Sequence, residues 1–252
     1  KAESGRIWWM YDRGPDGSEA YIAELFPKEQ AAPMKYNPAQ NSWSVTLTLK
    51  PEPKYIDFFS GRLIFPLIDR NNTIAFSARK LNENDFGGKY INSTDTLIYK
   101  KSNVLYGLNK TKDYIKEKKY VIIVEGAMDF ISLYENGVKN IVSPWGTALS
   151  DNQIKILKMI TKNIYINFDT DEGFAGQNNA IKAGYTLFKN GIEPKIIAFP
   201  IIADPDDFIK EKGTDSYLEC IKNSKKLFDF HYEVYQAINK EHASPQGFVD
   251  EV

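Results

Sequence analysis

The chain is 252 residues long and 42% hydrophobic, with 15 Phe, 15 Tyr and a net charge of −1, which is material for one large packed domain or two small ones. Its one cysteine, Cys220, excludes an intramolecular disulfide and any cysteine-based zinc ribbon, so no zinc is expected in this chain. No stretch approaches the ~18 apolar residues of a membrane span and no signal peptide is legible; a cytoplasmic protein with no membrane partner is expected, and Lys1 in first place reads as a fragment or a processed chain.

Residues 1–53 read as a β-rich segment. Arg6-Ile7-Trp8-Trp9-Met10-Tyr11 and the run 20–25 flank Arg13-Gly14-Pro15-Asp16-Gly17, a turn signal that predicts a hairpin. Polar and apolar residues alternate over 42–49 as in a half-buried strand, and Pro51-Glu52-Pro53 closes the segment. The adjacent Trp8 and Trp9 could stack bases, although such residues more often sit in a core. Residues 54–119 read as a mixed α+β subdomain. The runs 62–69 and 73–79 flank Arg70-Asn71-Asn72 and predict a second hairpin, while 86–93 reads as a loop carrying Lys89 and small polar side chains.

From residue 120 onward strand and helix alternate. The apolar runs 120–124, 163–168 and 195–199 read as strands buried on both faces. Helices are expected over 129–136, 150–160, 176–190 and 206–212, with Ser150 as an N-cap and Gly137 and Gly191 just past helix ends. This alternation predicts an α/β parallel sheet flanked by helices, with right-handed crossovers, over 120–213. A C-terminal helical segment, 214–252, follows, with one long amphipathic helix expected to about residue 238. His231 and His242 read as surface residues.

Charge is distributed unevenly. Residues 54–119 hold 13 Lys and Arg against 7 Asp and Glu, whereas 120–214 hold 9 Lys, no Arg and 12 Asp and Glu. A basic segment joined to an acidic one suits a polyanion held by the first and processed by metals on the second. The acids are placed for that. Glu125 and Asp129 follow the first buried strand, Asp169 and Asp171 the second, and Asp204 and Asp206 the third. Strand ends of a parallel sheet share one edge, where open α/β folds build their sites. Clustered carboxylates repel unless a cation lies between them, and hard oxygen ligands suit Mg²⁺ or Mn²⁺. One such acid is explained by helix capping; three pairs on successive strand ends call for metal-assisted chemistry on phosphates.

These residues carry a resemblance. Glu125-Gly126 with Asp129, Gly146-Thr147, Asp169-Thr170-Asp171 with Ala175-Gly176, and Asp204-Pro205-Asp206 resemble a TOPRIM domain. Upstream, Gly61-Arg62-Leu63-Ile64-Phe65-Pro66 with Asp69, the run 76–79, Lys89-Tyr90-Ile91-Asn92-Ser93 and Leu105-Tyr106-Gly107-Leu108 resemble the polymerase core of DnaG-type DNA primases. The resemblance implies a DNA-directed RNA polymerase that makes short primers on single-stranded DNA from ribonucleoside triphosphates. It implies an acidic cluster in which Glu125, Asp129, Asp169 and Asp171 are catalytic and Glu125, Asp169, Asp171, Asp204 and Asp206 hold two or more Mg²⁺ or Mn²⁺ ions. Arg62, Arg79, Lys89 and Lys101 would line a groove for template or nucleotide, with Asn92 and Ser93 adding hydrogen bonds. A replicative helicase would be met through a domain absent here, in a bacterial, plasmid or phage replication complex. Gly173-Phe174 looks like a two-residue insertion that lengthens the metal-site loop, and residues 1–53 do not resemble the family's usual lead-in and read as a divergent or grafted β-module. A TOPRIM nuclease or topoisomerase-like enzyme, and a non-catalytic module that binds single-stranded DNA, are the alternatives.

Overall fold

The computed structural model describes residues 6–8, 31–33, 35–37, 42–44, 58–83, 87–145, 148–239 and 244–251. The chain divides into two units, one of residues 1–67 and 73–98 and one of residues 68–72 and 99–252.

In the first unit β1 (Arg6–Trp8) pairs antiparallel with β2 (Ala31–Pro33), and β3 (Lys35–Asn37) with β4 (Ser42–Ser44). The strand expected to partner β1, 20–25, and the remainder of 42–49 lie outside the described residues, as does Trp9. The second predicted hairpin is present: β5 (Arg62–Asp69) and β6 (Asn72–Lys80) turn at Arg70 and Asn71, both in the left-handed region at φ 45° and 71°. The stretch 86–93, expected as a loop, is corrected at its end. Tyr90–Asn92 forms β7, antiparallel to β6 in the register Ser77↔Asn92 and Arg79↔Tyr90. Edge pairing, not hydrophobic pattern, makes this strand, because its backbone completes the ladder that β6 leaves open.

The second unit is a five-stranded sheet in the order β12-β11-β10-β8-β9. Its strands are β8 (Val121–Val124), β9 (Ile141–Val142), β10 (Ile164–Asn167), β11 (Lys195–Ile196) and β12 (Lys225–Lys226). β8 to β11 run parallel, and β12 adds one antiparallel edge. The helices are α1 (Leu108–Lys118), α2 (Ala127–Glu135), α3 (Asp151–Lys158), α4 (Ala175–Lys189), α5 (Pro205–Lys222), α6 (Leu227–Asn239) and α7 (Pro245–Glu251). β8 shows why the sheet needs cover on both sides. Val121 and Ile123 enter one core, with Leu157 of α3, Leu187 of α4 and Phe230 of α6. Ile122 and Val124 enter the other, with Leu133 of α2 and Phe208 and Tyr217 of α5. All four are fully buried.

Local signals place the helices. Ser150 Oγ accepts the Gln153 N–H at 3.1 Å while Gln153 Oε1 accepts the Ser150 N–H at 3.0 Å, a reciprocal cap on α3. Gly137 and Gly191 take φ 88° and 74° just past α2 and α4. Three expectations are corrected. Of the strand expected over 195–199, only Lys195–Ile196 is strand, with the Ile197 N–H adding one bond to Ile166 O at 2.8 Å. The long helix after Gly213 is two helices, since α5 ends at Lys222 and the chain re-enters the sheet as β12 before α6. Within α5 Gly213 itself breaks the helical path at φ 79°, ψ 173°. His231 is buried, at 8% exposure. It lies on the inner face of α6, with Nδ1 2.9 Å from Tyr185 Oη and its ring against Phe248 of α7. His242 lies outside the described residues.

Candidate metal centre and basic sheet

The parallel ladder between β8 and β10 ends at Asn167↔Val124, so Glu125 and Phe168 leave the sheet together, with Asp169 one residue beyond. The third strand end arrives by a bridge: Thr170 and Ala203 exchange N–H···O bonds of 3.0 and 3.1 Å. That bridge ties the loop carrying Asp169 and Asp171 to the loop carrying Asp204 and Asp206. Three helices, α2, α4 and α5, begin at this edge.

Helix capping accounts for part of the geometry. Asp129 Oδ2 accepts the Gly126 N–H at 2.9 Å. Asp171 Oδ1 accepts from Ala175 at 3.0 Å and Oδ2 from Gly176 at 2.7 Å. Asp204 Oδ1 accepts from Asp207 at 2.6 Å. Glu125 and Asp206 do otherwise: Glu125 bonds the Asn179 side chain, and Asp206 Oδ2 accepts from Lys210 at 2.8 Å. The other oxygen of Asp206 is buried without a hydrogen-bond donor, although the Lys210 ammonium stands 2.7 Å from it, off the bonding direction.

Electrostatics separates the acids into two neighbourhoods. Burial pushes the Asp129 carboxyl up to about 7, and the charges of Asp169, Asp204 and Asp206 push it the same way against the Gly126 hydrogen bond. Burial also raises Glu125, with Asp171 adding to the shift and Asn179 opposing it. Asp171 is held below the usual carboxylate range, chiefly by the Gly176 N–H. Asp169, Asp204 and Asp206 therefore lie near enough for their charges to act on Asp129, and Asp171 near enough to act on Glu125. Asp207, which the sequence reading did not single out, joins Asp204 and Asp206: one oxygen of each lies within 4.8 Å of the others. The signal for it was the unbroken Asp206-Asp207 pair.

These residues fit a divalent cation. All donors are hard carboxylate oxygens, one buried oxygen of Asp206 has no hydrogen-bond donor, and the mutual repulsion at Asp129 is of the kind that a cation relieves. Gly176 brings α4 against the strand end, since a Cβ there would lie 2.2 Å from the Asp169 carbonyl oxygen. The Gly173-Phe174 pair does not loosen the loop. Phe174 takes φ 58° as the N-cap of α4, its N–H bonds Asp171 O at 3.2 Å, and its ring packs on the core, so the turn returns two helix N–H groups to Asp171.

The basic residues expected in a groove lie mostly on the three-stranded sheet of the first unit. Arg79 and Tyr90 are register partners, the guanidinium 6.0 Å from the ring centre, and Asn92 lies two residues along the same face. Arg62 Nη1 donates to Gly88 O at 2.9 Å, which anchors the turn bearing the exposed Lys89. Ser93 is buried, and its hydroxyl accepts the Phe76 N–H at 2.9 Å, so it serves the sheet. Lys101 belongs to the second unit, in a single 3-10 turn of residues Lys101–Asn103 whose backbone meets Gln153 of α3.

A family model described as the N-terminal domain of the DNA primase catalytic core matches residues 24–112, and a Toprim-like model matches residues 122–209. The chain carries a DnaG-type primase core. The first match begins at residue 24, well upstream of residue 54, and so corrects the expectation that residues 1–53 stand outside the family's likeness. The DNA primase of Aquifex aeolicus is 40% identical over 176 residues, 69% of this chain and 35% of its own length. The chain thus spans about a third of the length of the curated primases it matches. A crystal structure of the zinc-binding and RNA polymerase domains of the Aquifex aeolicus primase superposes with a TM-score of 0.67 at 37% identity, over 77% of this chain and 48% of that one. A DnaG primase catalytic domain bound to single-stranded DNA superposes with a TM-score of 0.62 at 26% identity, over 76% of this chain and 60% of that one. In this primase core the described residues include no helix long and apolar enough to cross a membrane.

Proposed function

We propose that this chain catalyses primer synthesis, joining ribonucleotides into short RNA on a single-stranded DNA template. The observation that carries the reading is the acidic edge of the sheet: the Thr170–Ala203 bridge ties the loop of Asp169 and Asp171 to that of Asp204 and Asp206, beside an Asp129 carboxyl that burial first, and the charges of Asp169, Asp204 and Asp206 after it, raise to about 7. In this reading Glu125, Asp169, Asp171, Asp204 and Asp206 hold two or more Mg²⁺ or Mn²⁺ ions, and Asp129 fixes the start of α2 beside them. Bound ions would neutralise the triphosphate and stabilise the attacking and leaving oxygens of an in-line displacement. The protein's share is positioning. The α4 N–H groups keep Asp171 ionised and aimed, and the Thr170–Ala203 bridge holds the two acidic loops in register.

Arg62, Arg79 and Lys89 supply phosphate contacts from the first unit and Lys101 from the second, with Asn92 adding an amide. Ser93 acts only by holding the strand beside them. Residues 54–119 then form the basic subdomain, 120–213 the catalytic subdomain and 214–252 a helical C-terminal segment. A replicative helicase engages a domain outside these residues, and the reaction takes place in the cytoplasm.

The test incubates the chain with template oligodeoxynucleotides, ribonucleoside triphosphates and Mg²⁺ or Mn²⁺. New short RNA that requires template and metal is expected. Asp169→Ala and Asp171→Ala should each lower its yield by at least ~100-fold, with circular dichroism close to that of the unsubstituted chain. Near-normal synthesis by either variant refutes the assignment, and shortened DNA in place of RNA makes the chain a nuclease.

A further inference from the structure

Helix α4 turns one polar stripe toward the edge of the sheet. Asn179, Lys182 and Thr186 follow one another at helical spacing and line a cavity of about 210 Å³ that reaches Glu125. Its floor is apolar and buried, made by Leu149, Phe168 and Ala183, with Pro144 closing one side. Asn179 and Lys182 are exposed at its rim. Among the described residues Lys182 pairs with no carboxylate. All these residues belong to the second unit, on the face of the sheet away from α2 and α5.

The lining selects its ligand. Glu125 is the one carboxylate among the described lining residues, so the cavity offers too few hard ligands for a divalent cation of its own. A purely apolar guest would make no use of the Lys182 ammonium at the rim, whereas an anionic group pairs with it. A group with a flat apolar body and one phosphate satisfies both parts. We propose that this cavity is a nucleotide subsite, in which Lys182 takes a phosphate and a base with its sugar lies over Leu149 and Phe168. The proposal rests on the reading of the chain as a primer-synthesising enzyme, because Glu125 is common to the cavity and the metal centre. A nucleotide seated here is contiguous with the reacting phosphates. It belongs either to the template or to a ribonucleoside triphosphate, and both present the same chemistry to Lys182.

Two substitutions probe the two halves of the cavity: Lys182→Gln removes the cation at an exposed position, and Ala183→Leu fills the floor. Binding of fluorescent oligothymidylate and of fluorescent ATP is measured by anisotropy. Primer synthesis is followed against each substrate, and Mn²⁺ binding is followed in the absence of nucleotide. Loss of one charge-assisted contact predicts about a 10-fold rise in Kd or KM for one of the two probes, with kcat within about 2-fold and Mn²⁺ affinity unchanged. A loss confined to oligothymidylate assigns the subsite to template, and one confined to ATP assigns it to the triphosphate. Unchanged Kd and KM in both variants overturn the proposal, as does failure of the unsubstituted chain to bind either probe. If the chain binds, the variants lose that binding, and no RNA is made, the subsite stands and the polymerase reading falls.

Discussion

Asp129 offers a direct check on the convergence of the acids, since it is only 7% exposed and its carboxyl is raised from 3.8 to about 7 by burial and by three neighbouring carboxylates. The perturbation is pH in the metal-free protein. A carboxyl whose folded pKa lies above its unfolded one holds its proton longer in the folded state. Its favourable contribution is therefore complete below about pH 4 and is lost as pH rises toward and through 7. At 1.36 kcal/mol per unit the full penalty is on the order of 4 kcal/mol, and roughly 2–3 kcal/mol of it develops between about pH 5 and pH 8. Asp129→Asn keeps an acceptor for the Gly126 N–H and removes the titration. Urea unfolding in EDTA, followed by fluorescence, should show the unsubstituted chain losing that amount relative to Asp129→Asn over this range. Millimolar Mg²⁺ should flatten the difference, because a cation replaces the proton as the neutralising charge. Parallel pH profiles for the two proteins would mean that neither burial nor the neighbouring carboxylates act on Asp129.

Two further substitutions test the frame of the site. Gly176→Ala sets a Cβ 2.2 Å from the Asp169 carbonyl oxygen and 2.9 Å from its carbon. Neither is the end of a flexible side chain, so stability should fall by about 1–3 kcal/mol and primer synthesis at saturating Mg²⁺ by at least ~10-fold, as α4 and the acidic loop are forced apart. Full synthesis would show that this close approach does not set the site. Tyr217 is fully buried, and its hydroxyl donates to Asn167 Oδ1 at 2.6 Å. Tyr217→Phe leaves that oxygen buried and unpaired at the base of the cluster and should cost about 1–3 kcal/mol in urea unfolding, whereas a negligible cost would mean that the Asn167 oxygen finds another donor.

The acids were legible because each follows a run buried on both faces, and such runs have few alternatives to a parallel strand. The ends of α2, α3 and α4 were legible through Gly137, Ser150 and Gly191. Other elements carried no such signal. α1 reads Leu-Asn-Lys-Thr-Lys-Asp-Tyr-Ile-Lys-Glu-Lys and buries only Thr111 and Ile115, too sparse a stripe to mark a helix. β12 is two lysines, Lys225 and Lys226, held by pairing with β11, and nothing in their side chains announces a strand. His231 looks like a surface residue by type, and only the arrival of Tyr185 and Phe248 from α4 and α7 buries it. Such features are set by contacts between elements, which local pattern does not encode.

Capping and metal binding are not rival explanations of these acids. The N-termini of α2, α4 and α5 all open at one edge of the sheet, and each presents N–H groups and the positive end of a dipole. That edge attracts carboxylates whatever else they do, which is why Asp129, Asp171 and Asp204 are each hydrogen-bonded to a helix start. Attraction of this kind is sufficient at Asp171, where two N–H groups hold the carboxyl below its usual range. It is insufficient at Asp129, where one N–H opposes burial and three like charges and loses. A cluster maintained for capping alone would be balanced at every member. Capping leaves unexplained the excess at Asp129, where burial and like charge outweigh one N–H, and the grouping of Asp204, Asp206 and Asp207, in which Lys210 pairs with Asp206; both are arrangements that a divalent cation would relieve.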